Sequence, residues 1–127
     1  MSKLSKIILS VFFLFLLSKN TLAIDFLECI NDIPLNKSII EKKDSCFLFD
    51  SDIGRIVSVE AESTEKSIQI EEFYKSILKQ FGWILSSKDN SKDLVFVRDE
   101  EILKINIKKF LDKNLITYNS FLSLSIN

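Results

Sequence analysis

The sequence predicts an α+β fold in which one main helix packs on a mostly antiparallel sheet, in the order β-β-α-β-β-β-β. Apolar residues recur with helical spacing between residues 70 and 81 and stop at a glycine. Apolar and polar residues alternate on both sides of that segment, as they do in half-buried strands. The links between the alternating segments are short and rich in turn residues, which favours antiparallel neighbours.

The first 23 residues have the layout of a secretory signal peptide. Two lysines precede a run of 11 residues dominated by apolar side chains (residues 7–17), and the segment ends on the small residue Ala23. We expect a signal helix that is cleaved after Ala23. The alternative is an uncleaved anchor in the inner membrane, but a spanning helix needs about 20 apolar residues and Lys19 interrupts this run.

Cleavage would leave one domain of 104 residues, the 127 of the chain less the first 23. We divide it into an N-terminal segment (residues 24–45) that packs against the body and an α+β body (residues 46–127). The leader holds three of the 17 basic residues and none of the 18 acidic ones, so 14 basic and 18 acidic residues remain, a net charge of −4. A net negative charge does not favour binding to nucleic acid, which needs a basic surface, and we expect membrane contact only through the leader.

The N-terminal segment has no sustained periodicity. Pro34 interrupts it, which predicts loops or short helical turns whose apolar residues pack against the body. Residues 46–49 and 55–62 then form a predicted hairpin with turn residues between them. The residues expected to face inward on its second strand are Val57, Val59 and Ala61.

The main helix carries one wide apolar stripe. Its members are Ile70, Phe73, Tyr74, Ile77, Leu78 and Phe81. Ser67 is the expected N-cap, and Gly82 is the expected C′ residue, where a left-handed conformation ends the helix. Trp83 then begins the next strand and packs beside the helix.

Four strands follow, over residues 83–87, 93–98, 102–110 and 115–127. The residues expected to face inward are Leu103, Ile105 and Ile107 on the third, and Ile116, Tyr118, Leu122, Leu124 and Ile126 on the last. One helix covers one face of such a sheet. We expect the other face to be shielded in part by the N-terminal segment and otherwise open to a partner.

The only cysteines, Cys29 and Cys46, both lie after the leader. Paired thiols tend to join in the oxidising compartment that an exported protein enters. The sequence leaves two alternatives open, a disulfide between them or two separate buried thiols.

The chain has no histidine, which excludes Ser-His-Asp and Cys-His catalysis. With two isolated glycines it has no glycine-rich phosphate loop. Asp50 and Asp52 form a D-x-D that fails the EF-hand template, so a solvated turn is the better interpretation. We assign no catalytic residue, metal site or cofactor.

Arginine is scarce, with two residues against 15 lysines. In a chain biased toward lysine, arginine is expected where a planar guanidinium has to donate two hydrogen bonds to one partner. We therefore predict that Arg55 and Arg98 form structural ion pairs, with Asp50 as the first candidate for Arg55. The alternative is that they bind an anionic ligand.

Four stretches, "DFLECINDIPL", "FDSDIGRIV", "FYKSILKQFGW" and "FVRDEEILKINI", occur in this order along the chain. Together they resemble a group of small exported proteins of alphaproteobacteria, over nearly all of the chain that follows the leader. The residues that match are Asp32, Pro34, Leu35, Phe49, Asp50, Gly54, Arg55, Phe73, Tyr74, Gly82, Trp83 and Arg98. The chain departs after "DIPL", where "NKSIIEKKDS" replaces the M-P-G-L of such relatives. The resemblance implies export and a shared fold, and no particular activity.

The expected function is a non-enzymatic binding or accessory module of the cell envelope, located in the periplasm. Its partner would be an envelope protein or a small ligand. One alternative is a histidine-independent enzyme that uses a carboxylate and an arginine, such as Asp50 with Arg55. The other is a periplasmic domain held at the inner membrane by an uncleaved leader.

Overall fold

A computed structural model describes residues 2–17, 24–86 and 93–123 of the chain. Its elements are helix α1 (Ser2–Leu17), strands β1 (Asp25–Phe26), β2 (Pro34–Leu35), β3 (Ile39–Glu41), β4 (Phe47–Ser51) and β5 (Gly54–Ser63), helix α2 (Ser67–Ile77) with a 3-10 turn (Leu78–Phe81), and strands β6 (Ile84–Leu85), β7 (Leu94–Arg98), β8 (Glu101–Phe110) and β9 (Lys113–Ser123). The α+β class, with an antiparallel sheet and two helices, is confirmed. Within the described ranges, no helix is long and apolar enough to cross a membrane. The expected cleavage position, Ala23, lies outside the described residues.

The main sheet has seven strands, in the order β3-β5-β9-β8-β7-β6, and β4 pairs with the same side of β5 as β3 does. Every pair is antiparallel. The long strands β5, β9 and β8 form its centre, with β9 between the other two. Gly54 begins β5 where the Leu122 carbonyl of β9 comes so close that a Cβ would collide with it.

The N-terminal segment contains short strands where the sequence predicts loops or short helical turns. β1 and β2 pair with each other, and β3 joins the main sheet beside β5. Pro34 is tolerated because it starts the two-residue strand β2 in a two-stranded sheet. The Asn36 side chain accepts hydrogen bonds from the backbone N–H groups of Ser38 (2.9 Å) and Ile39 (3.1 Å), and this turn leads into β3.

The predicted helix and its glycine stop are confirmed. Ser67 is the first helical residue rather than the N-cap, a position that Lys66 takes without a side-chain hydrogen bond. Gly82 is left-handed, with φ of 85°. Its N–H donates to the carbonyl of Lys79 (3.2 Å), and the Trp83 N–H donates to that of Leu78 (3.1 Å). This is the Schellman arrangement, and it turns Trp83 into the core.

The core lies between the sheet and α2. Its buried apolar members are Leu27, Ile30, Ile33, Ile39, Val59, Ala61, Ile70, Tyr74, Leu78, Trp83, Phe96, Leu103, Ile105, Ile116 and Tyr118. The expected inward residues of β5 and β8 therefore do face the core, with Val57 and Ile107 partly buried at its margin. Leu124 and Ile126 lie outside the described residues.

The N-terminal segment packs on the same face of the sheet as the helix. Leu27, Ile30 and Ile33 belong to the one core cluster, and the Phe26 ring meets the Phe81 ring edge-on at 5.7 Å. The expectation that this segment shields the other face is therefore wrong. The apolar side chains of the segment complete the helix layer instead.

The two buried tyrosines meet at the centre of the core, where the hydroxyls of Tyr74 and Tyr118 share a hydrogen bond of 2.5 Å. Burial is the main cause that raises the pKa of both phenols above the ordinary value. Below pH 10 both folded and unfolded chains keep these protons, so the full stability is present. Above the unfolded pKa of about 10, the unfolded chain loses protons that the folded chain retains, and stability falls as pH rises.

We predict that this loss reaches up to about 1.4 kcal/mol per pH unit for each tyrosine above pH 10. Replacing both residues, Tyr74→Phe with Tyr118→Phe, removes that contribution without leaving one hydroxyl unpaired. Urea unfolding followed by Trp83 fluorescence at several pH values measures the slope. Equal slopes for the wild-type chain and the double variant would contradict the assignment.

Candidate functional site

Cys29 and Cys46 form a disulfide, with their Cα atoms 5.8 Å apart. Of the two alternatives for the cysteines, the structure therefore has the bridge. It joins the loop after β1 to the residue before β4, so it ties the N-terminal segment to the edge of the main sheet. Closing a loop of 17 residues stabilises the fold by about 3 kcal/mol in the chain-entropy model.

Arg55 and Asp50 form the expected ion pair. They are register partners across the β4–β5 hairpin, and the guanidinium donates from Nε to Oδ1 (2.7 Å) and from Nη2 to Oδ2 (3.3 Å). Both side chains are more than half exposed. The hydrogen bond from Arg55 is the main cause that lowers the pKa of Asp50. A general acid working near neutral pH needs a raised pKa, so the pair has the properties of a structural link in the hairpin.

Arg98 connects three segments of the chain. One nitrogen, Nη1, donates to the carbonyl of Phe81 at the end of the helix (2.9 Å). The other, Nη2, forms ion pairs with Glu101 (3.3 Å) and with Asp32 of the N-terminal segment (3.8 Å). The guanidinium carbon lies 4.3 Å from the centroid of the Trp83 ring, a cation–π contact. Arg98 is thus the junction of helix end, sheet and N-terminal segment.

The structure does not bring the two arginines together. Both point to the helix-covered face and lie in one register row, but β9 and β8 separate β5 from β7. Three strand spacings make that distance about 14 Å. Within the described residues no group of His, Cys, Asp or Glu could hold a metal ion. The structure therefore places the candidate residues in three separate contacts.

A shallow groove of about 700 Å³ lies beside the disulfide and is lined mainly by the N-terminal segment, from β1 to β3. Its walls carry both signs of charge, among them Glu28, Lys37 and Lys43. The Glu41 carboxylate there accepts hydrogen bonds from the backbone N–H groups of Glu28 (3.1 Å) and Cys29 (3.5 Å). Glu41 therefore serves to position the loop that carries the disulfide.

The face of the sheet opposite the helix, here called the open face, is the most distinctive surface. Of the described residues that alternation assigns to it, only Gly54 at the start of β5 is buried. Six apolar residues form a straight row across it, one from each of six strands, joined by direct register pairs. In order from β4 to β6 they are Phe49, Ile56, Phe121, Ile102, Val97 and Ile84.

This apolar row is accessible along its whole length of about 24 Å, five strand spacings. The exposed fractions are 52% for Phe49, 39% for Ile56, 37% for Ile102 and 67% for Ile84. Phe121 and Val97 are half-buried. Contiguous apolar surface on a soluble domain marks an interaction site more often than isolated apolar residues do.

The rest of the open face mixes polar residues with further apolar ones such as Phe47 and Val95, and its charges are segregated by strand. Glu60 and Glu62 project from β5, and Lys104 and Lys108 project from β8. β9 separates the two strands and, after Lys113 at its start, presents uncharged residues to this face. The open face therefore combines an apolar row near one end with an acidic and a basic side.

The sequence analysis missed the apolar row. Each member is a single apolar residue on the outward side of its own strand. Single exposed apolar residues are common on protein surfaces, so none of them by itself indicates an interaction site. The signal that could have found it is the outward Phe-x-Phe of residues 47–49 together with the outward Ile56 and Phe121. Their alignment depends on the register of five strand pairs, which the sequence does not state.

Comparison with known proteins adds no relative to this description. No family model matches the chain, and neither the search of curated proteins nor the search of solved structures finds a match. The structure shows an α+β domain with a helix on one face of an antiparallel sheet and the apolar row on the other face.

We predict that Arg98→Lys destabilises the fold by about 2 kcal/mol. Lysine keeps the charge but loses the planar contact with Trp83 and the fork that serves Phe81 and the carboxylates together. The free energy of urea unfolding measures the effect. Arg55→Lys, at the exposed pair, is the matched control and should change it much less. Equal losses for the two variants would contradict the role of Arg98 as the junction.

Proposed function

We propose that this protein is exported to the periplasm and acts there as a non-enzymatic binding module of the cell envelope. Its open face would dock a partner protein. The observation that carries the proposal is the apolar row, which crosses six strands without any described segment covering it.

Three features support export. The first 23 residues have the charge, apolar run and small terminal residue of a signal peptide, and helix α1 covers the apolar run. The disulfide between Cys29 and Cys46 suits an oxidising compartment, since the cytosol keeps thiols reduced. The resemblance to small exported proteins points to the same location. Removal of the leader after Ala23 is part of the proposal.

The energetics of the apolar row support docking. Full burial of an aliphatic or aromatic side chain contributes about 1.5–3 kcal/mol, and the six members are only partly buried in the free chain. Covering them could contribute on the order of 5 kcal/mol before the costs of association. Polar residues beside the row give a partner the rim that protein interfaces use.

The absence of a reactive arrangement among the candidate residues also favours binding over catalysis. Asp50 is exposed and engaged by Arg55, which lowers its pKa. The groove near the disulfide is shallow and has walls of mixed charge. No described feature favours the carboxylate and arginine enzyme over the binding module.

We predict that the protein recovered from the periplasmic fraction begins at Ile24 and lacks two hydrogens relative to the reduced chain. Signal peptidase removes residues 1–23, and oxidation joins Cys29 to Cys46. Intact-mass spectrometry before and after reduction measures both. An intact Met1 in the membrane fraction would favour the anchored alternative, and free thiols in the periplasmic form would argue against the export proposal.

We predict that Ile102→Asp lowers capture of the docked partner at least about tenfold, because it places a charge in the apolar row. Tagged protein is recovered from native envelopes, and co-purifying species are quantified by mass spectrometry. Ile68→Asp is the matched control. That residue is also exposed, but it lies on helix α2. Equal capture by the two variants, both with wild-type melting temperature, would refute docking on the open face.

A further inference from the structure

We infer that the partner of the open face is a second copy of this chain. The inference rests on the proposed function, because it uses the same face and names what docks there. Two copies would pack face to face about a two-fold axis that runs along β9. The sheets would lie about 10 Å apart, as in aligned sheet packing.

The strand order makes this arrangement self-complementary. β9 lies between β5 and β8, while β4 and β7 lie one strand further out on the two sides. Rotation about β9 exchanges the two sides and keeps the position along the strands. β5 of one copy therefore lies over β8 of the other, and β4 lies over β7.

The apolar row then meets itself. Ile56 lies opposite Ile102 of the second copy, because both pair with Phe121. Phe49 lies opposite Val97 in the same row, and Phe121 meets its own copy at the axis. In the next outward-facing row, Phe47 lies opposite Val95. Every outward-facing apolar position on β4 and in the row is thus matched by an apolar one, apart from Ile84 on the outer strand β6.

One pair of opposite charges also matches in the same arrangement. Glu62 and Lys108 both pair with Leu115, so Glu62 of one copy lies opposite Lys108 of the other. Lys108 is exposed and has no ion-pair partner among the described residues. The pairs that Glu62 makes within its own chain, to Lys42 and Lys113, are long at 3.9 and 3.8 Å. The two-fold axis would create two Glu62–Lys108 contacts between the copies. Each contact would give both side chains a closer ion-pair partner than they have within one chain.

The other simple two-fold axis, across the strands, fails this test. Placed at the centre of the four outward-facing rows, it would reverse position along the strands and set the apolar row against the row of Glu62 and Lys108. Ile56 would meet Glu62, and Ile102 would meet Lys108. Burying a charge against an isoleucine without a partner is costly. Moved to run along the apolar row itself, this axis would match the row but would leave Glu62 and Lys108 outside the contact. The axis along β9 serves both the row and the pair of Glu62 with Lys108.

The size of the face sets the strength that we expect. Six strands span about 24 Å, and four outward-facing rows span about 20 Å, which gives about 500 Å² from each copy. The total of about 1,000 Å² lies at the lower bound for a specific interface. The expected dimer is therefore a reversible one with a dissociation constant in the micromolar range.

The test uses the full chain expressed with its leader and purified from the periplasm. Sedimentation velocity from about 1 to about 500 µM covers the affinity of weak interfaces. We expect the wild-type chain to dimerise. Glu62→Lys places lysine against Lys108, and Lys108→Glu places glutamate against Glu62, so each variant alone should associate at least about tenfold more weakly.

Mixing the two single variants restores opposite charges at both symmetric contacts. The mixture, and the chain that carries both substitutions, should therefore associate like the wild type. A variant that simply misfolds could not recover on mixing. A dimer indifferent to the charge swaps would overturn this arrangement in favour of another contact, such as pairing of the β4 edges.

A wild-type chain that stays monomeric would overturn the second copy as partner. The two proposals then separate clearly. If the monomeric chain still captures a different envelope protein, and Ile102→Asp abolishes that capture, docking on the open face stands and self-association fails. If neither self-association nor capture depends on Ile102, both proposals fail.

Discussion

The register of β9 against β5 and β8 is the constraint on which both faces of the sheet depend. Side chains alternate along a strand, so a slip of one residue would move every core residue to solvent. In the observed register Tyr118 lies beside Val59 and Ile105, and all three are buried. The same register places Phe121 between Ile56 and Ile102. The core and the apolar row of the open face are thus two consequences of one set of strand pairs.

The junction at Gly82 joins the helix to that sheet. A left-handed residue ends α2 and sends Trp83 into the core, where Arg98 stacks on its ring and takes the carbonyl of Phe81. Asp32 reaches the same guanidinium from the N-terminal segment. Because this layer gathers on one side of the sheet, it leaves the opposite side uncovered. The packing of the core therefore creates the surface that we propose to be functional.

The disulfide completes the same layer at its other end. Cys46 lies next to edge strand β4, and the bridge to Cys29 keeps the N-terminal segment beside the sheet. The segment contributes four side chains to the core but only short strands to the backbone hydrogen bonding, so a covalent tie stabilises its position there. A small domain depends on such ties more than a larger one does.

The sequence by itself determined the elements with local signals. The helical stripe, Gly82, the inward residues of β5 and β8, and the pairing of Asp50 with Arg55 follow from spacing within a few residues. Tertiary structure decided the strands of the N-terminal segment, the face on which that segment lies, the contacts of Arg98 and the alignment of the apolar row. Each of these depends on segments distant in the chain. Spacing reports which side of its own strand a residue occupies, but not which residue of another strand stands beside it, because that is set by the packing of the whole core.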